Sequence, residues 1–441
     1  MNVFEISAVK RLAKRCGFLK RGSKLSPTLF LDLLFYGIQS GVKSLEQMVQ
    51  HAWDEHSLDI SKQSLDERFS PRSVDFVKGL ISVSLKAQIG SYAKSIPLQL
   101  FNTVKIKDST VIELDESLSG LFEGFGKGGG PNSKAGMAIQ YEFDIKTNNV
   151  CDIDLKPAVQ SDAKDALAKK EDVKPGDLII RDLGYYSDAM IGYLLEKEAY
   201  FLSKLYPKVS VRLKETDLEK VDFSKLYREM SAGGLSCLDM DVFIGKQKRP
   251  VRIIIVLLPQ EVYEKRIRRK ASESRRNGYN QSDEYKALAR FNIYICNIPR
   301  DVMPAESVCN LYHIRWQIEI VFKTWKSIMK INELRKMRKE RFLTTIYGKL
   351  LWIFIHWKFF SECRNEFFSS KKKLLSVLKC FNTLKDRCQV FRALLHVPTA
   401  KTGDILKGLI VTLSRKHWVE KRKNGCNLED IFPLIFCRLN N

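Results

Sequence analysis

Zinc-type spacing is missing from this chain: no Cys-x-x-Cys pair occurs, although ten of the 441 residues are cysteine. The six histidines are scattered and form no cluster along the sequence. A zinc ribbon or finger is thereby excluded. Cysteines beside apolar neighbours, such as Cys296 after Ile295 and Cys437 after Phe436, read as reduced core residues of a cytosolic protein. Long apolar runs are also lacking. The strongest, Leu350 to Trp357, is far too short to span a bilayer, and the basic stretch from Met1 to Lys20 has no apolar centre of the kind a secretory signal needs. Neither export nor membrane insertion is expected. No internal repeat or low-complexity tract is visible.

Positive charge is what the chain has in excess. Seventy-four Lys and Arg stand against 51 Asp and Glu, leaving a formal charge of +23. Such a surface attracts polyanions, and nucleic acid leads because each neutralised phosphate releases counterions. A ribosome-associated or merely solubilising surface is the alternative. With 44% hydrophobic and 28% charged residues the composition is that of a folded protein. Its length is roughly three times that of a typical domain, so more than one unit is expected.

Residues 20 to 95 read as short helices with clear starts: Ser26-Pro27 supplies a cap and a first-turn proline, Ser44 with Gln47 a capping box, and Ser61 a further cap. A helix-turn-helix-like DNA reader and any small helical bundle give this same pattern. Strand-like runs then appear at Thr103 to Lys107, Ala135 to Asp144, Val150 to Pro157, Leu178 to Arg181 and Tyr200 to Leu205, with a helix at Ser187 to Glu198. More strands are expected at Asp239 to Gly245, Val251 to Leu258 and Phe291 to Asn297. Between the last two lies a basic segment from Lys265 to Arg276, read either as a solvated hairpin tip or as a phosphate-contacting loop. From Ala305 onward the pattern is helical. The Gly-rich stretch Lys127 to Lys134 lacks the Gly-Lys-Ser/Thr of a nucleotide-binding loop, and reads as a flexible loop able to touch DNA.

The chemistry-bearing segment is Tyr312-His313-Ile314-Arg315-Trp316-Gln317-Ile318-Glu319, followed by Lys326. On one continuous helix these offsets place Tyr312, Arg315, Glu319 and Lys326 within an arc of roughly 60°. A solvated i,i+4 ion pair would account for Arg315 and Glu319 alone. A polar stripe on a helix otherwise rich in Trp, Ile, Val and Phe points instead to the wall of a site. Two aspartates at strand ends join it. Asp108 follows Val104 to Lys107, and Asp182 follows Leu178 to Arg181 and precedes Leu183-Gly184-Tyr185-Tyr186, where Gly184 would permit a sharp turn. Each aspartate alone is more often a turn or cap residue than a ligand.

Together these residues resemble a known family, the YREK-type DDE transposases of bacterial insertion sequences, grouped as insertion-sequence family four. Its signature Tyr-x2-Arg-x3-Glu-x6-Lys is matched at Tyr312, Arg315, Glu319 and Lys326, with Trp316 and Trp325 alongside. Asp108-Ser109-Thr110 and the Asp-x-Gly-Tyr run from Asp182 to Tyr185 are similar too. The resemblance covers about residues 20 to 360. It implies an α/β fold: a ribonuclease-H-like catalytic core with a β-rich insertion, flanked by N-terminal and C-terminal helical regions. The expected units are a helical DNA-binding region at 1–98, core at 99–205, insertion at 206–300, core again at 301–360, and a C-terminal helical region, with possible dimerisation, at 361–441.

The resemblance also implies an activity: metal-dependent cutting and joining of DNA, with two Mg²⁺ ions, or Mn²⁺ as substitute, held by Asp108, Asp182 and Glu319. Arg315, Lys326 and Tyr312 would hold phosphates beside the scissile bond. Cut-and-paste transposition through a hairpin is expected, acting on the terminal inverted repeats of its own element and on target DNA, in a homodimer at the bacterial nucleoid. A flipped base could stack on Trp316 or on Phe291, which stands where the family carries a stacking tryptophan. The competing reading for both rings is plain core packing. A domesticated or inactive descendant that binds DNA without cutting it is the alternative function.

Overall fold

Serine caps set the amino-terminal helices. In the computed structural model, which describes residues 5–19, 23–39, 41–86, 100–126, 134–146, 149–278, 281–371, 373–398 and 401–420, α1 (Ile6–Arg15) is followed by α2 (Pro27–Ile38), where Ser26 Oγ accepts from Leu29 N at 3.2 Å. The expected capping box of Ser44 and Gln47 opens α3 (Leu45–His56), and Ser61 caps α4 (Lys62–Arg68). Each serine satisfies an amide the first helical turn leaves unpaired. α5 (Pro71–Lys86) completes this region. Of the Gly-rich stretch, positions 127–133 lie outside the described residues.

β1 (Val104–Leu114) is longer than its sequence suggested. Asp108-Ser109 reads as punctuation, yet antiparallel pairing with β2 (Ala135–Asp144) continues to Leu114. Thr110, Ile112 and Leu114 carry the buried alternation onward. A ladder partner and a buried face outweigh local turn propensity. Asp108 therefore sits within a strand and not at its end. β3 (Asn149–Pro157) pairs with β2, and after α6 (Asp162–Ala168) come β4 (Leu178–Arg181), α7 (Asp188–Glu196) and β5 (Tyr200–Lys204). β4 lies parallel to both β1 and β5.

Residues 206–300 extend this same sheet. β6 (Val211–Arg212), α8 (Phe223–Ala232), β7 (Cys237–Ile244), β8 (Arg249–Leu257), α9 (Gln260–Asn277), α10 (Asp283–Leu288) and β9 (Phe291–Cys296) follow in order. β9 pairs antiparallel with β5, giving nine strands in the order β3-β2-β1-β4-β5-β9-β8-β7-β6. The basic segment Lys265 to Arg276 is neither hairpin tip nor loop: it lies inside α9. That helix is laced by Arg268–Glu264 at 2.9 Å and Lys270–Glu273 at 3.1 Å, and ends on Gly278 at φ +69°.

The chain finishes with α11 (Ala305–His313), α12 (Trp316–Ser327), α13 (Lys339–Lys371), α14 (Val377–Asp386), α15 (Gln389–Ala393) and α16 (Thr402–Lys416). α13 runs unbroken through position 360 and packs on α2 and α5. Phe35 and Trp352 have ring centroids 4.6 Å apart, and Ser73 Oγ lies 2.7 Å from Thr344 Oγ1. Gly348 makes this approach possible, since a Cβ there would lie 2.9 Å from the Leu34 side chain. One apolar core thus joins the amino-terminal helices, the sheet and the last helices. No described helix is long and apolar enough to cross a membrane.

Candidate active site

Strand register brings the two aspartates together. Parallel pairing of β1 with β4 ends at Lys107 opposite Arg181, so the next residues, Asp108 and Asp182, stand on neighbouring strands. Beyond Asp182 the chain forms a short 3-10 turn, Leu183–Tyr185. Tyr185 is buried there and donates its hydroxyl to Gln140 Oε1 at 2.8 Å, while Gln140 Nε2 donates to Asp162 Oδ1 at 2.6 Å. This chain of bonds pins the turn carrying Asp182 to β2. Gly184 does not work by conformational freedom: it is absent from the glycines with positive φ.

Apolar packing supplies the third carboxylate. Ile318, Val321, Phe322 and Trp325 form the buried face of α12. Trp325 is 0% exposed and meets the Tyr141 ring of β2 edge-on at 4.9 Å. Docking that face turns Glu319 toward the aspartates. The helix is not continuous with α11, as the even spacing had suggested. Ile314 N donates to Leu311 O, Arg315 N to Tyr312 O and Ile318 N to Arg315 O, each at 3.1 Å, a three-residue turn that alters the phase between Tyr312 and Glu319.

Arg315 is the centre of the constellation. Its Nη1 lies 3.2 Å from Asp108 Oδ2, its Nη2 2.8 Å from Glu319 Oε1 and its Nε 3.9 Å from Asp182 Oδ1. Three carboxylates from β1, the end of β4 and α12 thus surround one guanidinium, whose buried Nε has no hydrogen-bond acceptor. Tyr312 donates its hydroxyl to Asp182 Oδ1 at 3.3 Å. Burial pushes the Asp108 carboxyl up to about 6, against the opposing hydrogen bond from Ser109 N and the attraction of Arg315. Burial works against the charge of Arg315 as well, but the attraction of Asp182, Tyr312 and Asp108 outweighs it and raises its pKa. Tyr312 is held well above the usual phenol range by burial and by Asp182.

The remaining expected residues fall differently. Lys326 Nζ donates to Val111 O at 2.8 Å, three residues along β1 from Asp108. Trp316 is 56% exposed, so its ring is not core. Phe291 is the reverse. It is 3% exposed, because β9 alternation turns Phe291, Ile293 and Ile295 into one apolar cluster, and its ring packs against Phe223 and Tyr227. At that burial its ring packs as core, the competing reading, and the residue only borders a basic cleft.

Sequence reasoning missed Lys204, the last residue of β5. Its Nζ lies over the Tyr312 ring at 5.6 Å, and burial, then Arg266, lowers its pKa. Lys204, Arg266, Arg269 and Lys270 line a cleft of about 530 Å³ that is also lined by Leu183, the residue after Asp182. Nothing in the spacing singled out Lys204. Gln140 did carry a signal, as a lone amide within the apolar run of β2. The histidines do cluster in space: His51 and His56 of α3 and His396, which follows α15, all approach Asp32.

Chemically, a set of three carboxylates offers hard oxygen donors suited to Mg²⁺ or a similar ion. One observation fits such an ion: the raised pKa of Asp108, which marks a buried negative charge that Arg315 only partly offsets. A carboxylate-lined, cation-seeking site on a mixed sheet, with basic side chains on its margin, defines a class that acts on a polyanion through bound metal. Residues 100–355 match the family described as transposase DDE domain, and the chain belongs to that family of DNA-cleaving, strand-transferring enzymes, which use divalent metal ions.

Relatives extend the match over nearly the whole chain. The transposase for insertion sequence element IS231B of Bacillus thuringiensis subsp. berliner is 27% identical over 448 residues, covering 98% of this chain and 93% of that protein. The transposase for element IS1151 of Clostridium perfringens is 28% identical over 446 residues, covering 96% and 92%. Among solved structures, the cryo-EM piggyBac transposase synaptic complex with hairpin DNA is similar at a TM-score of 0.42 and 11% identity, covering 97% of this chain and 86% of that one. A likeness that low carries no argument here.

Proposed function

We propose that this chain is a YREK-type transposase that moves an insertion sequence by cut-and-paste, with Asp108, Asp182 and Glu319 as its metal ligands and a DNA hairpin as intermediate. The observation that carries this reading is the approach of all three carboxylates to within 4 Å of the single guanidinium of Arg315. The strand order β3-β2-β1-β4-β5, three antiparallel strands and then two parallel ones, supports the reading of a ribonuclease-H-like core. On this reading the strands from β6 to β9 are the insertion, residues 1–98 contact DNA, and residues 361–441 join two copies at paired element ends.

When bound, Mg²⁺, or Mn²⁺ in its place, would acidify a water or a 3′-hydroxyl and stabilise the departing oxygen. The chain's own groups do the rest. Tyr312 orients Asp182 through its hydroxyl. Arg315 donates its spare N–H to a phosphate oxygen, and Lys326 and Lys204 add positive charge on either side. Trp316, exposed one residue beyond Arg315, presents a ring on which an extruded base stacks while the DNA end bends sharply.

The test is incubation of the full chain with DNA carrying its own element ends and Mg²⁺, followed by denaturing gels. Nicks, then hairpins, then joined products are expected. Double-strand ends that appear without any hairpin would remove the hairpin step, and uncut DNA at saturating protein would remove the catalytic reading. Trp316→Ala should leave thermal stability within about 0.5 kcal/mol, as for an exposed surface ring. The same variant should slow conversion of nick to hairpin by roughly 10-fold or more, the worth of one stacked base. Equal hairpin rates in both proteins would sink the stacking role.

A further inference from the structure

Away from the catalytic carboxylates, three of the six histidines gather around one buried aspartate. Asp32, on α2, is 1% exposed. Its two oxygens have different surroundings. Oδ1 accepts from Arg392 Nε of α15 at 2.7 Å. Oδ2 faces His56 Nε2 at 2.6 Å, His396 Nε2 at 3.7 Å and His51 Nε2 at 3.9 Å. Among the described residues, Asp32, His51 and His56 form the one set of three such side chains whose ligand atoms all lie within 4.8 Å of one another. The catalytic carboxylates form no such set, being parted by Arg315.

We propose that Asp32, His51 and His56, with His396 as a fourth donor, form a binding site for a divalent transition metal of the zinc class. The donor set decides the class. Imidazole nitrogens with a single carboxylate suit zinc and its neighbours, whereas magnesium takes oxygen ligands. Donors on one tetrahedral ion with bonds of about 2.0–2.1 Å stand roughly 3.3 Å apart, so His51 and His396, at 3.9 and 3.7 Å from Oδ2, need only a small inward shift, while His56, at 2.6 Å, moves outward to admit the ion.

The surroundings are those of a supported site. Arg392 Nε orients the carboxylate through Oδ1, as outer-shell partners of metal ligands do, while the histidines face Oδ2. The Tyr36 ring stacks on His51 at 3.7 Å and 7°, fixing the plane of that imidazole. Arg392 Nη2 also lies 2.5 Å from His51 Nε2 and 3.4 Å from Asp32 Oδ2. Metal capture exchanges those two contacts and keeps the bond to Oδ1. The bound ion would clamp α2 and α3 to the segment after α15, tying the amino-terminal helices to the last ones. None of its ligands is a catalytic carboxylate, so it stands independently of the function proposed above.

The experiment uses the full chain, stripped with chelator, desalted, and titrated with Co²⁺ or Zn²⁺ in excess Mg²⁺ so that the catalytic carboxylates are occupied. One retained Zn²⁺ per chain, the intense visible bands of four-coordinate Co²⁺ and a higher Tm with Zn²⁺ are expected. His56→Gln should lose the bands and weaken retention roughly 10-fold or more, whereas Asp182→Asn should keep both. Absence of retained metal and of four-coordinate bands in the unaltered chain overturns the proposal without recourse to any variant. Retention unchanged in a folded His56→Gln protein overturns it too, as does a Tm that follows pH but ignores Zn²⁺, the behaviour of a plain ion cluster.

Discussion

Asp108→Asn protein is expected to lose nicking activity by roughly 10³-fold or more, equivalent to about 4 kcal/mol of barrier, and at the same time to be more stable than the unaltered chain when metal is absent. The two signs share one cause. Burial raises the Asp108 carboxyl from 3.8 to about 6 despite Arg315 at 3.2 Å, so the folded state favours its protonated form. Stability from that carboxyl is fully present below pH 3.8 and lost as pH rises through about 6. At pH 8 the ionised group is a burden, and a neutral amide of the same shape relieves about 1–2 kcal/mol of it. Thermal unfolding in chelator at pH 8 and at pH 4 measures this. The variant should unfold at higher temperature at pH 8, and the difference should vanish at pH 4. A variant less stable at pH 8 would mean that the Arg315 contact outweighs desolvation.

Arg315→Ala is expected to have the second large effect. Arg315 is 8% exposed and its guanidinium sits among three carboxylates, so its removal leaves three negative charges facing one another. Removal of one partner from a buried ion pair costs about 3–5 kcal/mol. Asp182 and Glu319 are 42% and 44% exposed, and solvent screening of those two brings the expected loss to about 2–3 kcal/mol in chelator. Mg²⁺ should restore much of it, because a divalent cation supplies the charge that the guanidinium supplied. Cleavage should still fall roughly 10²-fold or more, since a preorganised donor to the phosphate is gone. The decisive measurement is the rise in Tm with Mg²⁺ in the two proteins. If the variant gains no more than the unaltered chain, Arg315 does not hold the cation's place.

Much of the sheet was legible because its strands announce themselves in short apolar runs with turn residues between them. β2 and β4 fall where expected to the residue, and β3, β5, β7, β8 and β9 within two or three. The errors have particular causes. β1 outran its expected end because its ladder partner, not its own residues, sustains it from Asp108 to Leu114. The basic segment was taken for a loop because α9 has so little apolar face that periodicity is faint, and side-chain ion pairs support it instead. Phe291 looked like a base-stacking ring until the alternation of β9 turned it inward.

By itself the amino-acid order determined most of the elements, the cationic character and the candidate carboxylates with their signature neighbours, because caps, alternation and residue chemistry are local properties. Tertiary structure alone decided what those groups meet. The pairing of Lys107 with Arg181 sets Asp108 beside Asp182, the burial of Trp325 turns Glu319 toward them, and Arg315 takes the space between. It likewise brought His396 from the far end of the chain to Asp32, His51 and His56 of the amino-terminal helices. Such encounters depend on register and on which apolar face docks, and these are settled only when the whole core closes.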